Sequence, residues 1–529
     1  MNKRNILMIG VVIVLCNCTQ TKKPSIQVTI ESNHQETYTG RLLIAFGRFG
    51  DREPRMQIGH WANSSPMFGM DISEVNNGGA ITFDPFALGY PYEQFQDVPP
   101  GKYYVQAILN VYTKFDRSDG QSVWLPNDQW EGQIFKVSPG NLVSEVDTIE
   151  VKEGEPIKLN LTLSRVLPLV SHMIESEYVK KVKIKSELLS EFWGQDMFVG
   201  AYLALPNTYH DNSVRKYPVA YHTGYFEEYQ SHYFDESSDF FQKWMEPVFP
   251  QMLIVHLMHP NPYNSHCFAA NSENCGPIQD AIMKELIPHL EEHFRIEKSS
   301  GKRILFGGSS GGLIATRLQV FYPDFFGGLW AFAPDVVDFS HFQLNNIYED
   351  TNFYSTRYTW NTIDKPTYRN EFGQPYLTVK QYNQFERVLG SKGRSSSEFD
   401  SFSAAFCPVD EDGYPRPFYD KRTGRIDSVT AEYMRRHDVL QYLKDNWSEV
   451  GPSLVGKLHF VTPDMDSYYL NEPTYELEAF LESTKNPYYG GEFLWGRPRK
   501  EHGWTPWDDD MSEFFRVLDQ AFSEKRMGE

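Results

Sequence analysis

The sequence predicts an α/β protein with a predominantly parallel sheet, entered through a separate β-rich region. Three observations predict it. Up to about residue 168 apolar residues alternate with polar ones; from about Glu187 strand-like and helix-like runs alternate; and a glycine-rich turn at 307–312 joins a strand directly to a helix.

The elements are best taken in chain order. Lys3 and Arg4 precede an apolar run from Ile6 to Leu15 that is too short for a stable membrane span. The run ends in Leu15-Cys16-Asn17-Cys18, which resembles the lipobox of bacterial lipoproteins. That resemblance implies that residues 1–18 are a lipoprotein signal and that Cys18 carries lipid. The mature chain would then sit in the cell envelope, at the outer membrane, touching the bilayer through its lipid alone. A plain secretory signal is the alternative.

Thr19 to Pro24 forms a short polar tether. Beyond it, Ile26, Val28 and Ile30 alternate with polar residues, as do Val105, Ala107, Leu109 and Val111, and then Ile157, Leu159, Leu161 and Leu163. Period two with one apolar face describes half-buried strands. Turn signals such as Pro99-Pro100-Gly101 and Ser138-Pro139-Gly140 punctuate them. Residues 24–168 are therefore expected to form an N-terminal β-sandwich. Trp124 and Trp130 offer a glycan-binding reading there; packing and positioning is the plainer one.

A catalytic unit is expected over 187–525. Tyr217–His222, Met252–Leu257, Arg303–Phe306, Leu329–Ala333 and Leu458–Val461 read as strands. Ile278, Ile282, Leu286, Leu290 and Phe294 share a helical face, and Leu313–Phe321, Thr474–Glu482 and Met511–Phe522 read as helices. The stretch of about 335–452 breaks this rhythm and is too long for a structureless loop, so it is expected to be a cap inserted over the strand ends.

Composition bounds the function. The net charge of −20 argues against nucleic acid, whose phosphates would be repelled. Aromatic residues make up 15%, enough to furnish a cleft as well as a core. Past the signal only Cys267, Cys275 and Cys407 remain. An exported chain would allow Cys267 and Cys275 to pair; three buried thiols is the equal alternative. His256 and His259, with His222 and His266 near in sequence, do not present two imidazoles on one face of a strand, so no metal site is expected. The cap arginines, Arg357, Arg369, Arg387, Arg394 and Arg416 among them, raise an anionic or uronate substrate; pairing with the cap's own acids is the plainer account.

The chemistry lies in Gly307-Gly308-Ser309-Ser310-Gly311-Gly312. A G-x-S-x-G turn between strand and helix is a nucleophile elbow, and it specifies an α/β-hydrolase. Gly307 and Gly311 keep strand and helix from colliding, and the hydroxyl stands at the positive end of the helix. Two frames fit. The one centred on Ser309 leaves the Ser310 amide for an oxyanion hole and is preferred; the other names Ser310 as nucleophile. The base and acid of this fold follow the serine in the order acid, then His. Of His341, His437, His459 and His502, the first two fall in the cap and His459 falls mid-strand. His502 lies in a loop after the strand Glu492–Trp495 and before the last helix. Asp466 is the preferred acid, Asp464 the second choice and Asp335 the third. The other oxyanion amide is expected at Tyr225, after the strand ending at His222.

Arg303-Ile-Leu-Phe-Gly-Gly-Ser-Ser-Gly-Gly-Leu, followed by Phe321-Tyr-Pro-Asp-Phe-Phe-Gly-Gly, resembles the putative-esterase family. That family includes esterase D, enterochelin esterases and bacterial feruloyl esterases. The resemblance spans roughly Asp196–Pro334 and Leu458–Phe522. It implies a serine carboxylic-ester hydrolase, with an ester on a polysaccharide or related extracellular compound as substrate and no cofactor. A β domain ahead of the hydrolase is similar to enterochelin-esterase architecture; the cap is much longer than the family's usual connection. A serine peptidase, and a non-catalytic glycan-binding lipoprotein on a hydrolase scaffold, are the rival functions.

Overall fold

The computed structural model describes residues 24–524, apart from 33, 49, 61–62, 127–133, 170–174, 225–231 and 265. The signal-like start with Cys18, the oxyanion candidate Tyr225 and Trp130 lie outside the described residues. Among the described residues no helix is long and apolar enough to cross a membrane.

The N-terminal region is strand-rich, its ten described strands connected through one long strand. That strand is Gly101–Asp116. Its 16 residues are long enough to pair with Thr37–Gly47, Leu142–Ser144, Asp147–Val151 and Ser122–Pro126 at different points along its length. The alternating residues that the sequence marks (Val28, Val105, Leu109, Leu161) are buried in a shared apolar core.

A second, eight-stranded sheet follows. Its strands are β1 (Val179–Ser186), β2 (Met197–Ala204), β3 (Val219–Thr223), β4 (Leu253–Met258), β5 (Arg303–Gly308), β6 (Gly328–Phe332), β7 (Leu458–Pro463) and β8 (Glu492–Gly496). Their spatial order is β1-β2-β4-β3-β5-β6-β7-β8. The first two strands run antiparallel and the rest pair in parallel. This is an α/β-hydrolase sheet. It begins at Val179, eight residues before the alternation at Glu187, because the edge strand β1 precedes that point and pairs antiparallel to β2. Central strands read as unbroken apolar runs because both faces are covered. In β5, Leu305 points into one core while Ile304 and Phe306 point into the other.

The insertion after β6 is folded throughout. Two short hairpins, Ser355–Arg357 with Thr362–Asp364 and Pro366–Arg369 with Pro375–Thr378, lead into helices. Call the elbow helix Ser310–Phe321 α1, and the later helices Val379–Leu389 α2, Glu398–Phe406 α3 and Val439–Leu454 α4. A reciprocal Thr378–Gln381 capping box starts α2. Phe385, Val388 and Leu389 on one side of α2 pack on Leu43, Ile108 and Val143 of the N-terminal sheet. The cap expected to end near Pro452 is shorter than that. Helix α4 carries Pro452 inside it and packs against α1, so it is part of the hydrolase's own helical layer. Cys267 and Cys275 form a disulfide, and Cys407 is a buried free thiol.

Candidate active site

The site lies at the carboxyl ends of β5 to β8, where a parallel sheet leaves its loops free to converge. Strand β5 turns into α1 within a single residue. Ser309 takes φ 54° and ψ −124°, a strained conformation for an L-residue. Its amide donates to the Phe332 carbonyl at 2.9 Å, and its carbonyl accepts from the Asp335 amide at 2.9 Å. The backbone of the turn is thus tied to the end of β6. The two glycines of the elbow are sterically required. A Cβ on Gly307 would stand 2.5 Å from the Thr223 carbonyl oxygen, and one on Gly311 2.1 Å from it.

The two serines have different surroundings. Ser309 opens onto a cavity of about 320 Å³. Ser310 is fully buried, its hydroxyl 3.4 Å from Asp335 Oδ2. The Ser310 amide belongs to the first turn of α1, where N–H groups have no partner within the helix.

Asp466 and His502 meet. Asp466 Oδ2 lies 2.7 Å from His502 Nδ1, and the Asp466 side chain is completely buried. Its other oxygen accepts the Tyr468 amide at 2.9 Å and the Leu470 amide at 3.2 Å. That fixes the carboxylate and leaves Nδ1 protonated, with Nε2 free to accept a proton. Burial alone would lower the His502 pKa. The Asp466 carboxylate beside it, and the charge of Asp335 beyond, outweigh burial and raise it above the ordinary 6.5. The Asp466–His502 pair is assembled, and the Ser309 hydroxyl does not hydrogen bond to the imidazole in this structure.

The runner-up residues have other work. Asp464 accepts the Lys500 amide at 3.0 Å and so holds the histidine loop. Asp335 lies beside Ser310 in the cavity wall. His341 pairs with Asp338 at 2.7 Å, His437 packs on Phe406, and His459 stacks on Trp330 with ring centres 4.2 Å apart. His222 and His256 do meet, Nδ1 to Nδ1 at 2.9 Å; burial holds both below the ordinary imidazole range. Among the described residues no group of three or more His, Cys, Asp or Glu side chains is arranged to hold a metal ion.

Sequence reasoning missed the walls of the cavity. The cap supplies Tyr368, Tyr382, Phe399 and Glu398, and the acid loop supplies Tyr468. Tyr468 packs edge-on against both His502 (4.6 Å) and Tyr368 (4.5 Å), joining the imidazole to the pocket. His60 of the N-terminal region reaches the same cavity, stacked 5.1 Å from Tyr368. Burial, with help from the Lys136 charge, lowers its pKa to about 4, so it is neutral. Nothing in a region of alternating strands marks His60 in advance. Tyr376 stands 5.8 Å from Tyr368 and is partly exposed; Phe372, more exposed, lies under the Arg499 guanidinium.

Three of the cap arginines are engaged elsewhere. Arg369 donates to the Asp466 carbonyl at 2.9 Å and to Asn471, pinning the acid loop. Arg394 pairs with Asp71 and Arg416 with Asp427. Trp124 is a contact between sheet and cap: its amide donates to the Tyr414 hydroxyl and its carbonyl accepts from Arg394.

Residues 190–381 match the family model described as Esterase, putative esterase. The match contains the elbow and ends ahead of Asp466 and His502. It bears out the resemblance drawn from the elbow, and with it an ester hydrolase. No curated protein matches the chain. Among solved structures, a ferulic acid esterase aligns over 65% of this chain and 99% of its own, at 13% identity and TM-score 0.40. The fluorophosphonate-binding serine hydrolase F of Staphylococcus aureus aligns over 64% and 98%, at 13% identity and TM-score 0.38. A ferulic acid esterase of Anaeromyces mucronatus, solved with ferulic acid, aligns over 66% and 94%, at 15% identity and TM-score 0.31.

Proposed function

We propose, from the premise that this chain is a carboxylic-ester hydrolase with an esterase segment at 190–381, that it works through an acyl-Ser309 intermediate. His502 takes the proton from the Ser309 hydroxyl and returns it to the leaving alcohol. Asp466 holds the imidazole in the required tautomer and stabilises its charged form. The amides of Ser310 and Tyr225 receive the oxyanion. A water then repeats the sequence and frees the acid.

The observation that carries this reading is the strained Ser309 at a helix N-terminus, open to a cavity whose wall includes the tyrosine packed on the Asp466–His502 pair. The reading requires the serine–imidazole hydrogen bond to form when substrate fills the cavity, which is ordinary for free enzymes. An ester on a polysaccharide or related extracellular compound is the proposed substrate class. Its support is the aromatic lining of the cavity and the partly exposed Tyr376 beside Tyr368, on which sugar rings can stack. Lipid at Cys18, holding the enzyme in the cell envelope near such polymers, is part of the same proposal.

Turnover of 4-nitrophenyl acetate tests the nucleophile. Ser309→Ala should lose at least about a thousandfold in kcat. Ser310→Ala keeps its amide and should retain about a tenth or more. The reverse ranking would move the nucleophile to Ser310, and no turnover by the folded native chain would return the glycan-binding reading.

A further inference from the structure

We propose that the paired carboxyl groups of Asp335 and Glu398 make this cavity select esters whose buried part is uncharged and hydroxyl-bearing, and reject those that carry a carboxylate there. The inference rests on the hydrolase reading above and specifies its substrate.

Both side chains line the cavity into which Ser309 opens, near enough for each to act on the other. Two buried carboxyl groups so placed are stabilised by sharing one proton, and the pair then offers one O–H donor and several acceptor oxygens. That is the complement of an alcohol, which both donates and accepts. A second anion would find no donor left and a negative charge close by.

The pair is held in place on both sides. Asp335 Oδ1 accepts the Val336 amide at 2.8 Å, and Oδ2 lies 3.4 Å from the Ser310 hydroxyl. Glu398 heads α3, whose Phe399 and Asp400 amides donate to Glu386 at 2.7 and 3.2 Å. The Glu398 amide itself meets the Tyr382 hydroxyl at 3.4 Å. Among the described residues lining the cavity there is no lysine or arginine, and the imidazole there, His60, is neutral. The remaining titratable groups facing the pair are His502, whose charge and that of Asp335 favour each other, and the tyrosines 368, 382 and 468, which burial first, and then the Glu398 charge among their neighbours, keep protonated. Burial likewise raises the Asp335 pKa, which favours the shared proton.

Matched esters read the selectivity. On the acyl side, 4-nitrophenyl butyrate is compared with 4-nitrophenyl hemisuccinate; on the alcohol side, 2-hydroxyethyl benzoate with carboxymethyl benzoate. In one pair the native enzyme should favour the neutral ester by at least about tenfold in kcat/KM, and Glu398→Gln, of the same shape without the charge, should shrink that ratio at least about threefold. Should that variant not fold, the native ratio between about pH 6 and about pH 8 reads the same charge and should hold or grow. Native ratios within about twofold in both pairs, a ratio that Glu398→Gln leaves unmoved, or one that falls with rising pH overturns the assignment while the hydrolase reading stands. Failure to turn over either neutral ester, together with no reaction with a fluorophosphonate, sinks both.

Discussion

Ser309 holds a backbone geometry that an unconstrained chain would leave. Its φ of 54° persists because the amide and carbonyl are each tied to the end of β6. The strain costs on the order of 1–3 kcal/mol. A glycine at that position relieves it and an alanine does not. Thermal or denaturant unfolding should therefore find Ser309→Gly more stable than Ser309→Ala by about 1 kcal/mol, with both inactive; equal stabilities would mean the turn is unstrained. His502 carries a second prediction at this scale. In the proposed mechanism it is the general base and must be neutral, and against the effect of burial its pKa is raised above 6.5 because Asp466 favours the charged ring. The acid limb of kcat/KM should then have its midpoint above 6.5, and Asp466→Asn should move it down while cutting kcat by about a hundredfold or more. The sign for stability is opposite. A raised imidazole pKa stabilises the fold below the unfolded value, and that contribution is lost as pH rises through the folded one.

At the scale of elements, the elbow was legible because its requirement is local. Strand, glycines, serine and helix are consecutive in the chain, and the clash that demands the glycines comes from one neighbouring strand. A methyl on Gly311 would collide with the Thr223 carbonyl, a backbone atom that cannot rotate away. Gly311→Ala should cost about 1–3 kcal/mol in unfolding experiments and lower activity by displacing Ser309; an unchanged midpoint would show that β3 can yield. Asp466 and His502 were legible for a different reason: each follows a strand in the chain order this sheet imposes. The antiparallel edge strands β1 and β2 were missed, since they stand outside the βα alternation. Helix α4 was placed in the cap because the aromatic and charged stretch before it hid the return of that rhythm. The pocket wall was not legible at all. Tyr368, Tyr382 and Glu398 come from cap elements that meet only through long-range packing, and no spacing in the sequence records it.

Across the whole molecule, the N-terminal sheet does more than precede the hydrolase. It lends His60 to the cavity and clamps α2, the helix that carries Tyr382. Arg41, buried, donates to the Val388 carbonyl and the Arg387 carbonyl, both at 2.9 Å, and pairs with Asp71. Arg41→Ala leaves those carbonyls without their donor and should cost about 2–4 kcal/mol of stability. Because α2 then loosens at the pocket wall, KM should rise for substrates that fill the cavity more than kcat falls. A variant whose KM is unchanged would confine the sheet to a structural role.

The central claim is that one hydroxyl, at residue 309, is the nucleophile of this ester hydrolase. Mass mapping after treatment with a fluorophosphonate tests it most directly. The account predicts a single stoichiometric adduct on the tryptic peptide 304–317, localised to Ser309, absent from Ser309→Ala and slowed in His502→Ala. An adduct localised to Ser310, or a folded native chain that takes no label, would contradict it.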